Sequence, residues 1–246
     1  MKEALHTKIV SLLNLEEQSN LHVLDIGCGQ GSLLNHLAGV MGPTAKLIGI
    51  DSTDRPLAIA RESFPSLEFR KEKFIDRLSF EDNSFDLVVS VDTLECIPNK
   101  SVFLSEIFRV LKPGGTVLCA HWDWDTQVYN SENIQRVRTF VAAFADWKQG
   151  WMEAADGQMG RRLWGLFEGS GKFTGDIASF TLLETAYRAG EYGFDRLRDL
   201  SGLVKAGSLD RVEYESFLTE MQDLAAERQY FYSVNSYIYV GKPRNG

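Results

Sequence analysis

The chain has 246 residues, of which 44% are hydrophobic and 24% charged, as in a soluble globular protein rather than a disordered or membrane-spanning one. Its 26 Lys and Arg residues against 34 Asp and Glu residues give a formal net charge of −8. Because no Lys/Arg-rich run is present to bind phosphates, the composition argues against a nucleic-acid partner.

Cysteine content and the first residues indicate where the protein works. Cys28, Cys96 and Cys119 form neither an even-numbered disulfide framework nor a C-x-x-C pair, which favours a reducing compartment and gives no metal site. The opening MKEALHTKIV lacks the apolar stretch of a signal peptide. No segment approaches the roughly 18 apolar residues of a transmembrane helix. We therefore expect a cytoplasmic protein without a membrane span.

The first half alternates short apolar runs with helical patterns, which predicts parallel βα units. A helix is predicted over residues 4–13, and further helices follow the first strand, begin near Pro56, and begin after Asn99, which can cap the last of them. The predicted strands lie at 22–26, 46–50, 67–70, 86–91 and 116–121.

The second half is predicted to be mainly helical around two late strands, 179–187 and 233–240. One helix is predicted over 131–148 with Ser131 as its cap, and another begins at Asp210, which has capping-box spacing to Glu213. The fold class predicted is α/β: a Rossmann-like, doubly wound, mostly parallel seven-stranded sheet with helical cap insertions. We expect one domain over 1–246, with a cofactor-binding core at 1–124 and helical cap segments at 125–178 and 188–230.

A glycine-rich turn carries the strongest chemical signal. Gly27, Gly29 and Gly31 alternate directly after the first strand and lead into a helix. Glycine permits φ > 0 there and lets a ligand approach the backbone N–H groups. Asp51 ends the second strand, where a carboxylate can accept both hydroxyls of a ribose.

The spacing of the glycines distinguishes two adenosine ligands. A dinucleotide turn reads G-x-G-x-x-G because a pyrophosphate sits on the helix N-terminus. Here the pattern is D-x-G-x-G-x-G, and Asp25 would repel a pyrophosphate but attract an ammonium group. The pattern favours an adenosine with an amino-acid tail, S-adenosylmethionine, over the NAD of an oxidoreductase.

Four segments resemble the ordered motifs of class I S-adenosylmethionine-dependent methyltransferases, in the small-molecule group related to the quinone-biosynthesis C-methyltransferases. They are LDIGCGQG, IGIDST, LSFEDNSFDLVVSVDTLECIP and FRVLKPGG. The likeness spans residues 20–121 and continues more loosely beyond them. It implies an enzyme of this class, with S-adenosylmethionine as its cofactor.

The resemblance also implies positions for the cofactor. The glycines would line its methionine and ribose side, Asp51 would bind the ribose hydroxyls, and Ser52 with Arg55 would lie near the adenine. Thr93 follows the fourth strand, beside the methionine part and the substrate. The full set of implied cofactor-binding residues is Asp25, Gly27, Cys28, Gly29, Gly31, Asp51, Ser52, Arg55, Phe74, Ile75, Asp92 and Thr93.

The sequence departs from the family pattern at two places. Relatives commonly have Gly-Asp-Ala, whose Asp contacts the adenine amino group, where this chain has Lys73-Phe74-Ile75. Phe74 cannot supply that carboxylate but could stack on the purine. Many relatives have a histidine where Cys96 stands. A catalytic role of that histidine would be absent here or carried by another residue.

Candidates on the acceptor side follow the fifth strand. Histidine side chains ordinarily titrate near neutrality, which makes His121 a candidate general base, with Asp123 as a second catalytic candidate. Both could instead be structural. All five tryptophans fall in the predicted cap, and aromatic faces can enclose a planar ring or an amine cation. The substrate candidates are Trp122, Trp124, Tyr129 and Trp164.

The predicted function is methyl transfer to an oxygen or nitrogen, with carbon also possible, of a small aromatic or amine-containing molecule. Two alternatives stay open: an inactive partner subunit that binds S-adenosylmethionine, and a protein methyltransferase attracted to basic peptides. The sequence leaves the acceptor and the oligomeric state open.

Overall fold

In the computed structural model, residues 2–13, 15, 20–73 and 77–244 are described, and their strands form one seven-stranded sheet. The strands are β1 (His22–Ile26), β2 (Lys46–Asp51), β3 (Glu68–Lys71), β4 (Phe85–Val91), β5 (Leu111–Tyr129), β6 (Phe173–Glu184) and β7 (Tyr232–Pro243). They lie in the order β3-β2-β1-β4-β5-β7-β6. The first five pair in parallel, while β7 is antiparallel to both of its neighbours. The predicted fold class is confirmed.

Helices cover both faces of the sheet. They are α1 (Lys2–Leu13), α2 (Ser32–Met41), α3 (Asp54–Ser63), α4 (Lys100–Val110), α5 (Ile134–Ala145), α6 (Met159–Gly169), α7 (Tyr192–Asp199), α8 (Ser201–Lys205) and α9 (Arg211–Ala226). One core cluster contains buried side chains of α1 to α3, α5 and α7 to α9, and the other contains those of α4 and α6. Because both faces are covered, β1 and β4 consist almost wholly of buried residues.

β5 is much longer than the predicted strand at 116–121. It pairs with β7 from Val117, opposite Gly241, to Tyr129, opposite Tyr232, with one irregularity in register. Because β7 pairs with it over this length, β5 continues as a strand beyond its predicted end at residue 121. The assignment of Trp122 and Trp124 to the helical cap is therefore wrong: both belong to the sheet.

Two helix N-caps were predicted in the second half of the chain, and the structure confirms one of them. The Asp210 side chain accepts a hydrogen bond from the Glu213 N–H, as predicted. Helix α5, however, begins at Ile134 with Asn133 as its cap, not Ser131. The Ser131 hydroxyl donates instead to Glu220 of α9. Strand β6 also begins six residues earlier than the predicted 179.

Within the described residues, no helix combines the length and the apolar character needed to cross a membrane.

Candidate active site

The glycine turn after β1 takes left-handed backbone at each of its three glycines. The φ angles of Gly27, Gly29 and Gly31 are 78°, 53° and 78°. The N–H groups of Gly27 and Cys28 donate to the Ile50 carbonyl at 2.8 and 3.0 Å. These bonds tie the turn to β2, so that it has a fixed shape at the carboxyl edge of the sheet.

Close packing requires glycine at the first and third of these positions. A Cβ on Gly27 would overlap the Thr93 hydroxyl and lie 2.8 Å from its methyl carbon. A Cβ on Gly31 would lie 2.6 Å from the Phe69 ring. Gly29 has no neighbour within 4 Å of such a Cβ. Its outer side is therefore the open side of the turn.

Asp51 joins the turn to the end of β2. Its Oδ2 accepts from the Gly29 N–H at 3.0 Å, and its Oδ1 accepts from the Thr53 N–H and hydroxyl at 2.8 and 2.6 Å. A carboxylate has about four acceptor sites, so Asp51 retains capacity for a ligand hydroxyl. The three bonds fix its direction beside Gly29.

Asp25 is a buried acidic group beneath the turn. Burial, and secondarily the Asp51 carboxylate, raise the pKa of Asp25 to about 7. A nearby cation would favour the ionised form and lower that pKa. The site therefore contains a carboxyl group that a positively charged ligand would stabilise.

A cavity of about 230 Å³ opens at the carboxyl ends of β1 and β4, where α/β sheets bind their ligands. Asp25, Gly27 and Gly29 lie on one side of it, and Asp92 and Trp122 on the other. Helix α1 and helix α7 complete the lining with Leu5, His6 and Tyr192. Lys and Arg are absent from the lining that the structure describes.

Asp92 is held in an uncommon conformation at the end of β4. Its φ is 55°, a left-handed value that few residues other than glycine adopt. Its N–H donates to the Ala120 carbonyl at 3.0 Å, and its Oδ1 accepts from the Trp122 N–H at 3.2 Å. The strained residue thus fastens the end of β4 to β5 beside the cavity.

Aromatic rings form the wall opposite the glycine turn. The Tyr192 ring centroid lies 5.2 Å from that of Trp122 and 6.1 Å from that of Trp124, to which it is nearly parallel at 8°. The Arg196 guanidinium covers Tyr192 at 4.6 Å. We call Trp122, Trp124 and Tyr192 the aromatic wall.

A carboxylate at the end of β6 holds the aromatic wall in place. Glu184 accepts from the N–H groups of Tyr192 and Gly193 at 2.9 and 2.8 Å, at the first turn of α7. A Cβ on Gly193 would lie 2.6 Å from the Tyr232 ring of β7. The start of α7 therefore fits closely against the sheet, and Tyr192 is fixed beside the cavity.

The two catalytic candidates do not line the cavity. The Asp123 carboxylate is fully buried and accepts from Arg161 of α6 with both oxygens, at 2.5 and 2.6 Å. Nδ1 of His121 lies 2.7 Å from the Trp122 carbonyl oxygen, and Nε2 lies 3.8 Å from Oε2 of Glu95. Because side chains alternate along a strand, His121 and Asp123 lie on the opposite face of β5 from Trp122.

The substrate candidates are divided among three places. Trp122 lines the cavity, and Trp124 lies next to it in the aromatic wall with its ring tilted by 34°. Tyr129 is buried deeper, against Tyr232 and the Gln127 side chain. Trp164 is 46% exposed on α6 and contacts Tyr239, away from the cavity.

The remaining cofactor candidates also differ in position. Cys28 lines the cavity, and burial raises the pKa of its thiol, so it is unsuited to act as a thiolate. Ser52 and Arg55 are exposed just after β2. Phe74 and Ile75 lie outside the described residues.

Three residues of the site were missed by the sequence reasoning: His6, Tyr192 and Glu184. His6 lies on α1 and Tyr192 on α7, at positions where the sequence shows only helical periodicity. Glu184 shows no capping spacing because it caps from another element. No local pattern could have identified them, since each reaches the site only through tertiary packing.

A second, larger cavity of about 800 Å³ lies between α5 and α9. It is an open groove lined by Glu132, Glu220, Asp223 and Glu227, and none of the glycine-turn residues reaches it. Size alone would have selected this groove, but the glycine turn, the ends of β1 and β4 and the aromatic wall all adjoin the smaller cavity.

Comparison with known proteins adds a family. A family described as a methyltransferase domain matches residues 17–190. The chain is 27% identical over 238 residues to an uncharacterized 37.1 kDa protein from a transposon of Streptomyces fradiae, covering 96% of this chain and 66% of that protein. It is 42% identical over 98 residues to the demethylmenaquinone methyltransferase of Staphylococcus aureus, covering 39% of this chain and 41% of the enzyme. The chain thus spans less than two thirds of the length of these relatives.

The fold is also that of a solved enzyme. A phosphoethanolamine N-methyltransferase of Haemonchus contortus, in complex with phosphomonomethylethanolamine and S-adenosylhomocysteine, superposes with a TM-score of 0.55 at 18% identity. The match covers 98% of this chain and 53% of the enzyme.

Proposed function

The chain belongs to the methyltransferase domain family, in line with its resemblance to the class I S-adenosylmethionine-dependent enzymes, and on that premise we propose that it methylates a small molecule. The observation that carries the proposal is the cavity between the glycine turn and the aromatic wall. One side offers glycine backbone without side chains and the carboxyl group of Asp25, and the other offers flat ring surfaces.

The residues around the turn fit S-adenosylmethionine. We propose that Asp51 accepts from the ribose hydroxyls and that Asp25 pairs with a positive charge of the methionine part, which the bond of Asp51 to Gly29 and the burial of Asp25 support. The open side of Gly29 leaves room for a ligand against the backbone. Ser52 and Arg55 stay candidates for the adenine end.

The lining of the cavity favours a neutral or amine-bearing acceptor. Asp25 and Asp92 are its acidic groups, and the described lining offers no Lys or Arg to neutralise a phosphate or carboxylate on the acceptor. Trp122 and Tyr192 supply ring faces that attract a planar ring or an ammonium group. We infer methyl transfer to oxygen or nitrogen, with carbon also possible.

The chain's own residues supply orientation and exclusion of water. When bound, S-adenosylmethionine supplies an electrophilic methyl group on its sulfonium sulfur. The glycine turn fixes one partner and the aromatic wall the other, and such positioning can supply roughly 7–11 kcal/mol of the barrier. The rings of Trp122 and Tyr192 also keep water from the cavity.

The small enclosed volume supports a small acceptor over a protein substrate. The cavity of about 230 Å³ is lined by buried side chains of α1 and β5 and by Tyr192 of α7, so a folded peptide segment would have to displace one of them. Helices α5 to α9 lie within the proposed cap segments, 125–178 and 188–230, whereas residues 125–129 and 173–178 belong to β5 and β6.

Calorimetry with three ligands tests the cofactor assignment. We expect S-adenosylhomocysteine to bind, 5′-methylthioadenosine, which lacks the charged amino-acid arm, to bind at least tenfold more weakly, and NADH not to bind. Binding of NADH alone would overturn the proposal.

A second assay separates an enzyme from an inactive partner subunit. Labelled methyl transfer from S-adenosylmethionine is measured over a panel of phenols, hydroquinones and amines. Transfer to none of them, despite tight S-adenosylhomocysteine binding, would favour the inactive subunit.

A further inference from the structure

Glu95 and His121, two side chains that can exchange protons, lie close together beside Trp124 of the aromatic wall. Glu95 follows β4 in a short 3-10 turn, Leu94–Cys96, and His121 lies on the neighbouring β5. Nε2 of His121 lies 3.8 Å from Oε2 of Glu95 and, within the described chain, has no hydrogen-bond partner. The imidazole is fully buried, and leaving a buried acceptor such as Nε2 without a partner costs free energy.

The other ring nitrogen defines the form of the imidazole. Nδ1 of His121 lies 2.7 Å from the Trp122 carbonyl oxygen, which can only accept a hydrogen bond. Nδ1 therefore carries a hydrogen, and in the neutral ring Nε2 presents a lone pair toward Glu95. An ionised Glu95 carboxylate would then place one of its own lone pairs opposite the lone pair of Nε2, and the two would repel each other.

One proton between Nε2 and Oε2 would convert this unfavourable meeting into a charge-assisted hydrogen bond. The surrounding groups increase the affinity of Glu95 for that proton. Burial raises the pKa of Glu95, and the Asp92 and Asp156 carboxylates act in the same direction, against the opposing effects of His121 and the Trp124 N–H. The geometry thus provides a place for one proton.

The titratable groups on the neighbouring elements do not compete with Glu95 and His121 for this proton. Asp123 is already paired with Arg161 from α6. Tyr192 of α7, whose pKa burial raises well above its ordinary value, stays neutral. The Trp124 N–H donates to Oε2 of Glu95 at 3.1 Å and so fixes the carboxylate facing His121.

We propose that Glu95 and His121 act together as the proton acceptor for the group that is methylated. Glu95 is the more accessible member, since its side chain is 12% exposed while that of His121 is 0% exposed, and it lies three residues beyond Asp92 of the cavity lining. Glu95 therefore receives the proton first. His121 is a positioning residue that stabilises the added proton through Glu95. The inference rests on the proposed function.

The step balances without a further reagent. A lone pair on the acceptor's oxygen or nitrogen forms the bond to the methyl carbon, the carbon–sulfur bond breaks, and its electron pair stays on sulfur. The O–H or N–H bond of the acceptor breaks, and the proton passes to Glu95, where His121 shares it. Solvent removes the proton between turnovers.

Histidine NMR tests the pair without a known acceptor. With ring-labelled histidine at pH 6, we expect the Nε2 signal of His121 to show a bound hydrogen in the unchanged protein and none in Glu95→Gln. His36 serves as an internal control, and Glu227→Gln, an exposed change directly after α9, should not move the His121 signal. The same His121 signal in the unchanged protein and in Glu95→Gln would overturn the proposal.

Turnover then separates a proton-accepting role from a merely structural one. Glu95→Gln should slow methylation of a phenol, which must lose a proton, by about 100-fold or more. A tertiary amine has no proton to lose, so the same substitution should change the rate of its methylation by less than twofold. The affinity for S-adenosylhomocysteine should also change by less than twofold. His121→Gln should shift the pH profile on the phenol alone.

The outcomes are distinguishable. Equal losses on both acceptors would show a structural role and contradict the proposal. If no acceptor is methylated, the proposed function fails in its acceptor class, while the NMR comparison still decides whether Glu95 and His121 hold a common proton.

Discussion

The two sides of the cavity are built by different means. The cofactor side consists of backbone groups and short acidic side chains from β1, β2 and the turn between β1 and α2. The acceptor side consists of large rings from β5 and α7, held by residues far away in the chain. The cofactor side depends on the absence of Cβ atoms at its glycines, whereas the acceptor side depends on the presence of large rings. This difference predicts which changes each side tolerates.

The largest effect is expected from Gly27→Ala. The new methyl group would collide with Thr93 and force alanine into left-handed backbone, which together should lower the free energy of unfolding by at least about 2 kcal/mol. Urea denaturation measures it. Gly29→Ala is the matched control, since it has the backbone cost without the collision. Equal losses in both variants would show that the Thr93 contact is unimportant.

Next comes Asp51→Ala, which tests the cofactor side without changing its backbone. We expect S-adenosylhomocysteine affinity to fall at least tenfold, about 1.4 kcal/mol, because the ribose loses its carboxylate. Calorimetry gives the dissociation constant. Asp54→Ala, at an exposed carboxylate paired with Lys71, should leave it unchanged. An unaltered constant in the Asp51 variant would remove this residue from the site.

Glu184→Ala tests the acceptor side through its support. The N–H groups of Tyr192 and Gly193 would lose their acceptor, at a cost of about 2 kcal/mol in unfolding free energy. Tryptophan fluorescence should change because Trp122 and Trp124 contact Tyr192. Asp195→Ala, at an exposed carboxylate of α7, is the control. A variant with unchanged stability and fluorescence would show that α7 does not need this anchor.

The last prediction concerns pH and Asp25. Because the folded-state pKa is about 7 against an ordinary 3.8, the fold favours protonated Asp25, and this stability is lost as pH rises from 4 to 7. The slope is at most about 1.4 kcal/mol per pH unit. Asp25→Asn should make the unfolding free energy less dependent on pH between pH 5 and 7. Saturating S-adenosylhomocysteine should reduce the same pH dependence in the unchanged protein. A slope equal in both proteins would contradict the assignment.

The order of elements in the first half follows from the sequence because its signals are local. Alternation of apolar runs with helical patterns located β1 to β4, and Asn99 caps α4 through the Val102 N–H as predicted. The length of β5 could not be predicted, because it depends on β7, whose residues lie more than a hundred positions away. Ser131 was a plausible cap until α9 brought Glu220 beside it.

The site divides in the same way. The glycine turn and Asp51 were identified from spacing, because a ligand that binds backbone demands glycine at fixed positions. Tyr192 and Glu184 could not be, since nothing in a lone aromatic or acidic residue indicates which distant segment it will meet. For His121, the residue type suggested acid–base chemistry, but only the structure shows Glu95 opposite Nε2.

The position of β7 between β5 and β6 has a consequence for synthesis. Strand β6 pairs only with β7 among the described strands, and β5 gains its second neighbour there. As the chain leaves the ribosome, β1 to β4 can therefore associate early, while β5 and β6 must wait with open edges until residues 232–243 emerge. Those exposed edges are where a nascent chain would need protection from aggregation.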